Sequence, residues 1–272
     1  MSRLLLSIIF CSIISSVSAG TIRSDTPDSK YLEYGKKYIS IVQLNGYLKV
    51  VQNSTTSVFE TIDKVETIAS GSAVIIDPHW IVTAAHVVSG STDHFFYVGS
   101  KKYVIDDIIM HPSYDPNGKM TFADICLCYV NENIDISFYP LLYDKDDEVG
   151  KLCGICGYGS SGPASMGAIK YDDKKRAGSN KVSLMTDDIL FCDMSRRNPT
   201  ELEFLISHGD SGGGLFINGK LAGIHSFVSA SDKKADSSYG DQSGHTRIST
   251  YKQWIEFIIR KSEKIKEVKR LY

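Results

Sequence analysis

The sequence has no large excess of charge of either sign, and this limits the partners that suit it. Its 272 residues include 30 Lys and Arg and 32 Asp and Glu, for a formal net charge of -2. Proteins that bind nucleic acid carry a basic field that neutralises phosphate groups. We therefore expect no nucleic-acid partner. The length and the 42% hydrophobic content suit one globular unit, or two small domains that share an interface.

The N-terminal apolar run is too short to span a bilayer. Arg3 precedes an apolar stretch at residues 4–10, serines interrupt the next segment, and small residues at 17–19 precede Gly20. This is the layout of a signal peptide that is cleaved after Ala19. We predict a signal peptide at residues 1–19 and a mature chain secreted to the extracellular space or periplasm. No stable membrane insertion is expected after the leader is removed.

The cysteines lack the even number of a complete disulfide framework and the second ligand pair of a metal site. Of the six cysteines, Cys11 falls in the leader, so an odd number remains and at least one thiol stays unpaired in a monomer. Cys153 and Cys156 form a C-x-x-C motif, which is half of a metal or redox site. No second C-x-x-C or histidine pair follows at ligand spacing. We expect no metal and no cofactor.

A long helical period is missing until the C-terminus. Short apolar runs separated by turn residues predict an all-β sandwich or barrel. Asn218 and Gly219, for example, suit a two-residue hairpin turn. From Ser249 onward the pattern changes, because Trp254 and Ile258 lie on one face of a predicted helix. The sequence therefore predicts an all-β fold with a C-terminal α-helix at residues 249–272.

Three short motifs carry the residue types that nucleophilic acyl transfer requires. They occur in this order: TAAH at residues 83–86, ADI at 123–125 and GDSGG at 209–213. A serine hydroxyl is a weak nucleophile, so it needs a base of near-neutral pKa, and a carboxylate must orient that base. We predict Ser211 as nucleophile, His86 as general base and Asp124 as the residue that orients the histidine.

The glycines around the nucleophile are explained by the backbone conformation that the reaction requires there. The chain must turn tightly there and direct backbone N–H groups at the oxyanion of the tetrahedral intermediate. We predict that the N–H groups of Gly209 and Ser211 form this oxyanion hole.

These motifs resemble those of the chymotrypsin-like (trypsin-like) serine peptidases, which share the order His, Asp, Ser. The similarity extends to GSAVI at residues 71–75, WIVTAAH at 80–86, CGYG at 156–159 and TRI at 246–248. It implies two antiparallel six-stranded β-barrels with a C-terminal helix. His86 and Asp124 would come from the first barrel and Ser211 from the second. The expected boundaries are 20–37 for an N-terminal segment, 38–143 for the first barrel and 144–248 for the second.

Two features depart from the family pattern. Ala73, Val87, Ser207 and Ile217 stand near positions where the animal digestive members carry half-cystines, so the chain resembles disulfide-poor bacterial-type secreted members. An Ile-Val-Gly-Gly start is also missing, although activated family members pair a freed α-amino group with the Asp before the nucleophile. Here that residue is Asp210. Its expected partner is the Gly20 amine, an amine released by a further cut nearby, or a side chain.

The family resemblance assigns the substrate pocket to five residues: Leu205, His208, His225, Ser226 and Phe227. Leu205 stands where cleavage after Lys or Arg requires Asp, so we do not expect that specificity. His225 stands where glutamate-specific relatives have a histidine, which suggests an acidic or amide P1 side chain. The alternative is a hydrogen-bonded histidine within the barrel. His208 lines the mouth of the pocket or is simply exposed.

We therefore predict a secreted, monomeric serine endopeptidase that cleaves protein or peptide substrates through an acyl-enzyme. The alternative is a catalytically silent homologue that acts as a binding module, but such proteins usually lose a member of the triad. An ester hydrolase would use the same chemistry, but its nucleophile follows a different residue order. A periplasmic quality-control protease typically carries an additional peptide-binding domain.

Overall fold

The computed structural model describes residues 20–48, 68–117 and 122–270. The predicted signal peptide lies outside these residues. The chain begins with strand β1 (Gly20–Ile22) and helix α1 (Asp28–Gly35). Within the described part of the chain, no helix is long and apolar enough to cross a membrane.

The first half of the chain forms one antiparallel sheet. Its strands are β2 (Ile41–Leu48), β3 (Ile68–Asp77), β4 (Trp80–Thr83), β5 (Ser91–Val98), β6 (Lys101–Val104), β7 (Asp107–Met110) and β8 (Cys126–Tyr129), and the short helix α2 (Ala85–Ser89) follows β4. The strand order is β6-β5-β2-β3-β4-β8-β7.

The two outer strands of this sheet are halves of one bent strand. Only two residues separate β6 from β7, and their backbone N–H groups bond to opposite sides of the sheet. Ile105 donates to the His94 carbonyl at 2.9 Å and Asp106 to the Tyr129 carbonyl at 2.9 Å. The sheet therefore curls into a barrel, which has the expected six strands when the two halves are counted together.

The second half of the chain forms a closed barrel with the order β11-β12-β16-β15-β14-β9. Its strands are β9 (Leu152–Gly157), β11 (Arg176–Met185), β12 (Ile189–Asp193), β14 (Gly214–Ile217), β15 (Lys220–Ser229) and β16 (Gln242–Arg247). Two short strands, β10 (Ser161–Pro163) and β13 (Phe204–Leu205), flank β1 in a separate three-stranded sheet. Helix α3 (Ile248–Arg270) follows β16 directly. The expected all-β fold with a C-terminal helix is confirmed.

Separate apolar clusters fill each barrel, and a further cluster joins them. Val82 of the first barrel, Phe216 of the second and Ile255 of α3 belong to this shared cluster. Burial of such side chains is the main favourable contribution to packing, at about 1.5–3 kcal/mol for each. The shared core fixes the two barrels against each other, so residues from both can form one site.

The N-terminal segment packs on the second barrel. Tyr31 of α1 is fully buried, and its hydroxyl donates to the Glu203 carbonyl at 3.2 Å. Arg176 of β11 donates two hydrogen bonds to the Asp28 carboxylate, at 2.6 and 2.9 Å. These contacts fix α1, which follows β1, on the second barrel.

Candidate active site

Strand β4 and helix α2 position His86. All four residues of β4 are buried, and α2 begins two residues after the strand ends, with His86 as its second residue. The Thr83 hydroxyl donates to the Ser72 carbonyl at 2.8 Å and fixes the end of the strand. The His86 side chain remains 36% exposed, so one edge of the ring is open to a ligand.

Asp124 is fully buried and holds His86 by two hydrogen bonds. Its Oδ2 lies 2.7 Å from His86 Nδ1, and its Oδ1 accepts the His86 backbone N–H at 3.0 Å. The preceding Ala123 has φ 51°, a left-handed conformation that costs about 1–2 kcal/mol for alanine. Such strain persists where the surrounding contacts determine the conformation.

The second barrel supplies the remaining partners of Asp124. The Ser226 hydroxyl donates to Oδ2 at 2.5 Å, and the Thr246 hydroxyl donates to the Asp124 carbonyl at 3.0 Å. Burial by itself would raise the pKa of Asp124, but the hydrogen bonds from His86 and Ser226 outweigh it, so the pKa is lowered. The carboxylate is thus ionised at neutral pH. Sequence reasoning placed Ser226 at the substrate and missed its contact with Asp124.

Ser211 lies in a tight turn that packs against the residues leading to His86. Gly212 has φ +83°, and a methyl group on it would lie 2.1 Å from both Ser72 O and Thr83 Oγ1. Only glycine allows this close approach. The Ser211 carbonyl accepts the Ser72 N–H at 2.7 Å. Sequence reasoning missed Ser72, whose hydroxyl also donates to the Gly209 carbonyl at 2.9 Å.

Two backbone N–H groups of this turn are available to a ligand. Gly209 has φ +93°, which again favours glycine. Among the residues that the structure describes, neither the Gly209 N–H nor the Ser211 N–H has a protein acceptor. Two such donors on one turn can stabilise a negatively charged oxygen.

Asp210 is buried beneath the turn. Its Oδ1 accepts the Gly159 N–H at 2.8 Å, and its Oδ2 accepts the Ser207 N–H at 3.0 Å and the Ser207 hydroxyl at 3.3 Å. Burial raises the pKa of Asp210 to about 7, more than these donors lower it. A buried carboxylate is stable when a cation pairs with it.

Gly20 lies directly beside this carboxylate. A methyl group on Gly20 would be 2.5 Å from Asp210 Oδ2 and 3.3 Å from the Leu205 carbonyl. Strand β1 brings it there, because Gly20 pairs with Ser161 of β10 and Thr21 pairs with Leu205 of β13. Two residues far apart in the sequence are thus neighbours.

The pocket residues expected from the sequence differ widely in exposure. Leu205 and His225 are fully buried, Ser226 is 6% exposed, Phe227 is partly buried and His208 is exposed. Only His208 and Phe227 therefore offer appreciable surface to a ligand.

His225 is hydrogen-bonded within the second barrel. Its Nδ1 lies 2.9 Å from His245 Nδ1, and its Nε2 lies 3.2 Å from the Cys156 carbonyl. His245 Nε2 is in turn 2.9 Å from the Ser243 hydroxyl. Burial lowers the pKa of His225 far below its usual range and that of His245 to about 3. Both rings are neutral, and His225 has no nitrogen free for a substrate.

The described residues contain no cluster of three or more His, Cys, Asp or Glu side chains arranged to hold a metal ion. The C-x-x-C motif lies within β9, where Cys153 and Cys156 are both buried.

The sequence matches the family described as Trypsin over residues 50–255. It is 27% identical to glandular kallikrein-10 of Rattus norvegicus over 187 residues, which cover 57% of this chain and 68% of that protein. It is 25% identical to the venom plasminogen activator of Agkistrodon piscivorus leucostoma over 209 residues, which cover 68% of this chain and 75% of that protein. The fold is similar to that of neuropsin, a serine protease expressed in the limbic system of mouse brain, with a TM-score of 0.60 and 18% identity over 88% of this chain and 98% of that one. These relatives come from animals, so the bacterial-type character stays a prediction.

Proposed function

The chain belongs to the trypsin family and is a serine endopeptidase, and we propose that Ser211, His86 and Asp124 are its catalytic triad. The observation that carries the proposal is the buried Asp124 carboxylate, 2.7 Å from His86 Nδ1. This contact keeps the proton on Nδ1, so Nε2 is free to accept the proton of the Ser211 hydroxyl.

The reaction then proceeds through an acyl-enzyme. Ser211 Oγ attacks the carbonyl carbon of the scissile bond while His86 takes its proton. The Gly209 and Ser211 N–H groups stabilise the oxyanion. His86 gives the proton to the leaving amine, and water repeats the sequence to release the acid. Asp124 stays ionised and stabilises the imidazolium that forms in each step.

We further propose that the mature enzyme begins at Gly20 and that its α-ammonium group pairs with Asp210. The support is the position of Gly20 against Asp210 Oδ2 and the raised pKa of that carboxyl when no cation pairs with it. The packing of α1 argues against a further cut on the C-terminal side of that helix, because such a cut would detach the buried Tyr31 from the rest of the chain. Leader removal on secretion would thus also complete the site.

For the substrate side chain before the scissile bond, we propose an uncharged residue. Leu205 provides no acid for Lys or Arg, and the neutral, fully hydrogen-bonded His225 provides no charge for Glu or Asp. A peptide library varied at P1 tests this. Preferred cleavage after Glu or Asp would contradict it and restore the role first predicted for His225.

A fluorophosphonate probe tests the triad. We expect stoichiometric labelling of the mature protein, none of Ser211→Ala, and a loss of turnover of at least about 10⁴-fold in Asp124→Asn. The last variant should still fold, since the amide is isosteric with the carboxylate. Labelling of Ser211→Ala would refute the assignment, and a wild-type protein that binds peptides without labelling would indicate a silent binding module.

The N-terminal proposal requires its own comparison. We expect full activity from protein that begins at Gly20 with a free amine, and activity lower by roughly 10²-fold when that amine is acetylated or extended, because the oxyanion turn loses its support. Equal activity of the free and blocked forms would exclude the Gly20 amine as the partner of Asp210.

A further inference from the structure

The hydroxyl of Ser72 connects the first barrel to the turn that carries the proposed oxyanion hole. Ser72 lies on β3 and is fully buried. Its Oγ donates to the Gly209 carbonyl at 2.9 Å and accepts the Tyr158 N–H at 2.9 Å. Both distances are ordinary for hydrogen bonds of these kinds. A serine hydroxyl has a single hydrogen, and this geometry directs it at the Gly209 carbonyl.

The backbone of the same residue holds a second carbonyl of the turn. Ser72 N–H donates to the Ser211 carbonyl at 2.7 Å. Gly209 and Ser211 are the two residues whose N–H groups would bind the oxyanion. One residue of the first barrel therefore fixes the carbonyl groups of both residues that would form the hole in the second barrel.

Gly209 depends on such contacts for its conformation. It has φ +93°, and a glycine has no side chain that restricts rotation about its backbone bonds. The peptide group that contains the Gly209 N–H is held at its other end, where Ser160 N–H donates to the His208 carbonyl at 3.2 Å. The next peptide group contains the Gly209 carbonyl and is held by Ser72 Oγ. Each peptide group is planar, so these two bonds together fix the direction of the Gly209 N–H.

Ser72 is itself held rigidly. It pairs with Gln43 of β2 within the sheet, and its carbonyl accepts the Thr83 hydroxyl at 2.8 Å. Donors that are already oriented stabilise an oxyanion without any rearrangement when the charge develops. A hydroxyl anchored in a sheet is suited to keep the Gly209 N–H in that orientation.

We propose that Ser72 is a positioning residue for the oxyanion hole, and that its hydroxyl fixes the Gly209 peptide so that the Gly209 N–H points at the oxyanion. This inference rests on the proposed function of Ser211 and His86. Ser72 touches no reacting atom and acts through Gly209. Because Ser72 and Gly209 belong to different barrels, the hole is complete only when the barrels are packed together.

The kinetic test is Ser72→Ala with a peptide p-nitroanilide as substrate. We expect kcat to fall roughly tenfold, which is less than the loss of about 10²- to 10³-fold that follows removal of an oxyanion donor. KM should change by less than about twofold, because the lost support matters only when the carbonyl oxygen becomes charged.

A peptidyl trifluoromethyl ketone measures the hole directly. Ser211 Oγ adds to its carbonyl carbon while His86 takes the proton, and the resulting hemiketal carries its negative oxygen where the oxyanion forms. In Ser72→Ala we expect Ki to rise about tenfold and the pKa of the hemiketal, followed by carbon NMR of the labelled ketone, to rise by about 1. The corresponding alcohol has the same side chains but forms no oxyanion, so its Ki should not change.

Ser179→Ala is the matched control. The Ser179 hydroxyl also accepts a backbone N–H, that of Leu202 at 3.1 Å, and donates to Thr200 Oγ1 at 2.9 Å, but it lies on β11. This variant should lower Tm and leave kcat, KM and both Ki values unchanged.

A second variant, Ser72→Cys, keeps nearly the same volume and replaces the hydroxyl by a weak donor. We expect kcat to fall about threefold to fivefold, with the same contrast between ketone and alcohol. This variant provides the test if Ser72→Ala does not fold.

The inference can be overturned in two ways. Unchanged kcat and Ki in the Ser72 variants would mean that Gly209 keeps its position without the hydroxyl. Equal weakening of the ketone and the alcohol, or an equal loss in Ser179→Ala, would mean that Ser72 only supports the folded structure. The fluorophosphonate probe separates both results from failure of the proposed function, in which the wild type itself would not be labelled.

Discussion

An extension in front of Gly20 replaces the α-ammonium group proposed as the partner of Asp210 by a neutral peptide group. In that form Asp210 retains the Gly159 and Ser207 donors, and its pKa is about 7 against an ordinary 3.8. The folded protein then binds a proton that the unfolded chain releases near pH 4. The stability of the extended form should therefore fall as the pH rises from about 4 to about 7.

The pKa difference sets the size of this loss. About three pKa units correspond to about 4 kcal/mol of unfolding free energy, and the group is fully buried, so solvent screening is small. The loss is absent below about pH 4, where Asp210 is protonated in both states, and is complete just above pH 7. In the mature form the α-ammonium group pairs with the Asp210 carboxylate. This pairing should remove most of the pH dependence of the unfolding free energy up to about pH 8, near the ordinary pKa of an α-amino group.

Urea unfolding between pH 4 and pH 8 measures the effect. Both proteins carry Ser211→Ala to prevent self-digestion, and one begins at Gly20 whereas the other keeps Ala19. We expect equal stabilities near pH 4 and a gap that widens to about 4 kcal/mol near pH 7.5. Asp210→Asn in the extended form should remove the dependence of the unfolding free energy on pH, even though the amide lowers stability at every pH. Parallel curves for the two proteins would refute the pairing of Gly20 with Asp210.

Three further predictions concern packing, the triad and the thiols. Gly212→Ala should abolish activity and lower Tm, because its methyl group would lie 2.1 Å from Ser72 O, whereas Gly90→Ala, with no atom within 4 Å, should change neither. Ser226→Ala removes a donor to the buried Asp124 and should lower the unfolding free energy by about 1.5–3 kcal/mol, and a loss below about 0.5 kcal/mol would count against the bond at 2.5 Å. The mature protein should show no reactive thiol when native and five when denatured, since every described cysteine is buried and free. A denatured count of three would instead indicate one disulfide, and the pairs whose sulfurs lie near each other are Cys153 with Cys192, at 3.8 Å, and Cys126 with Cys128, at 3.9 Å.

Local motifs predicted much of the fold. The short β-rich runs and the C-terminal helical period reflect side-chain alternation, which each segment carries by itself. Helix α1 was not predicted, because its eight residues include few apolar positions and its stability comes from the burial of Tyr31 against the second barrel. The bent strand formed by β6 and β7 also depends on the curvature of the whole sheet.

For the candidate site too, the sequence identified individual residues but not their hydrogen-bond partners. Ser226 and His225 were both named from the sequence, yet their hydrogen-bond partners, Asp124 and His245, come from other parts of the chain. No local pattern specifies such pairs, since they form only when barrel closure sets the register.

The sequence by itself determined the family, and it predicted the triad, because Ser211, His86 and Asp124 each stand in a short motif whose residue types acyl transfer requires. Tertiary structure alone decided what surrounds them. It placed Gly20 against Asp210, and it buried His225 as a neutral ring. The physical reason is that backbone conformation and chemical type are local properties, whereas burial and pairing depend on chain segments that meet only when the two barrels close and pack together.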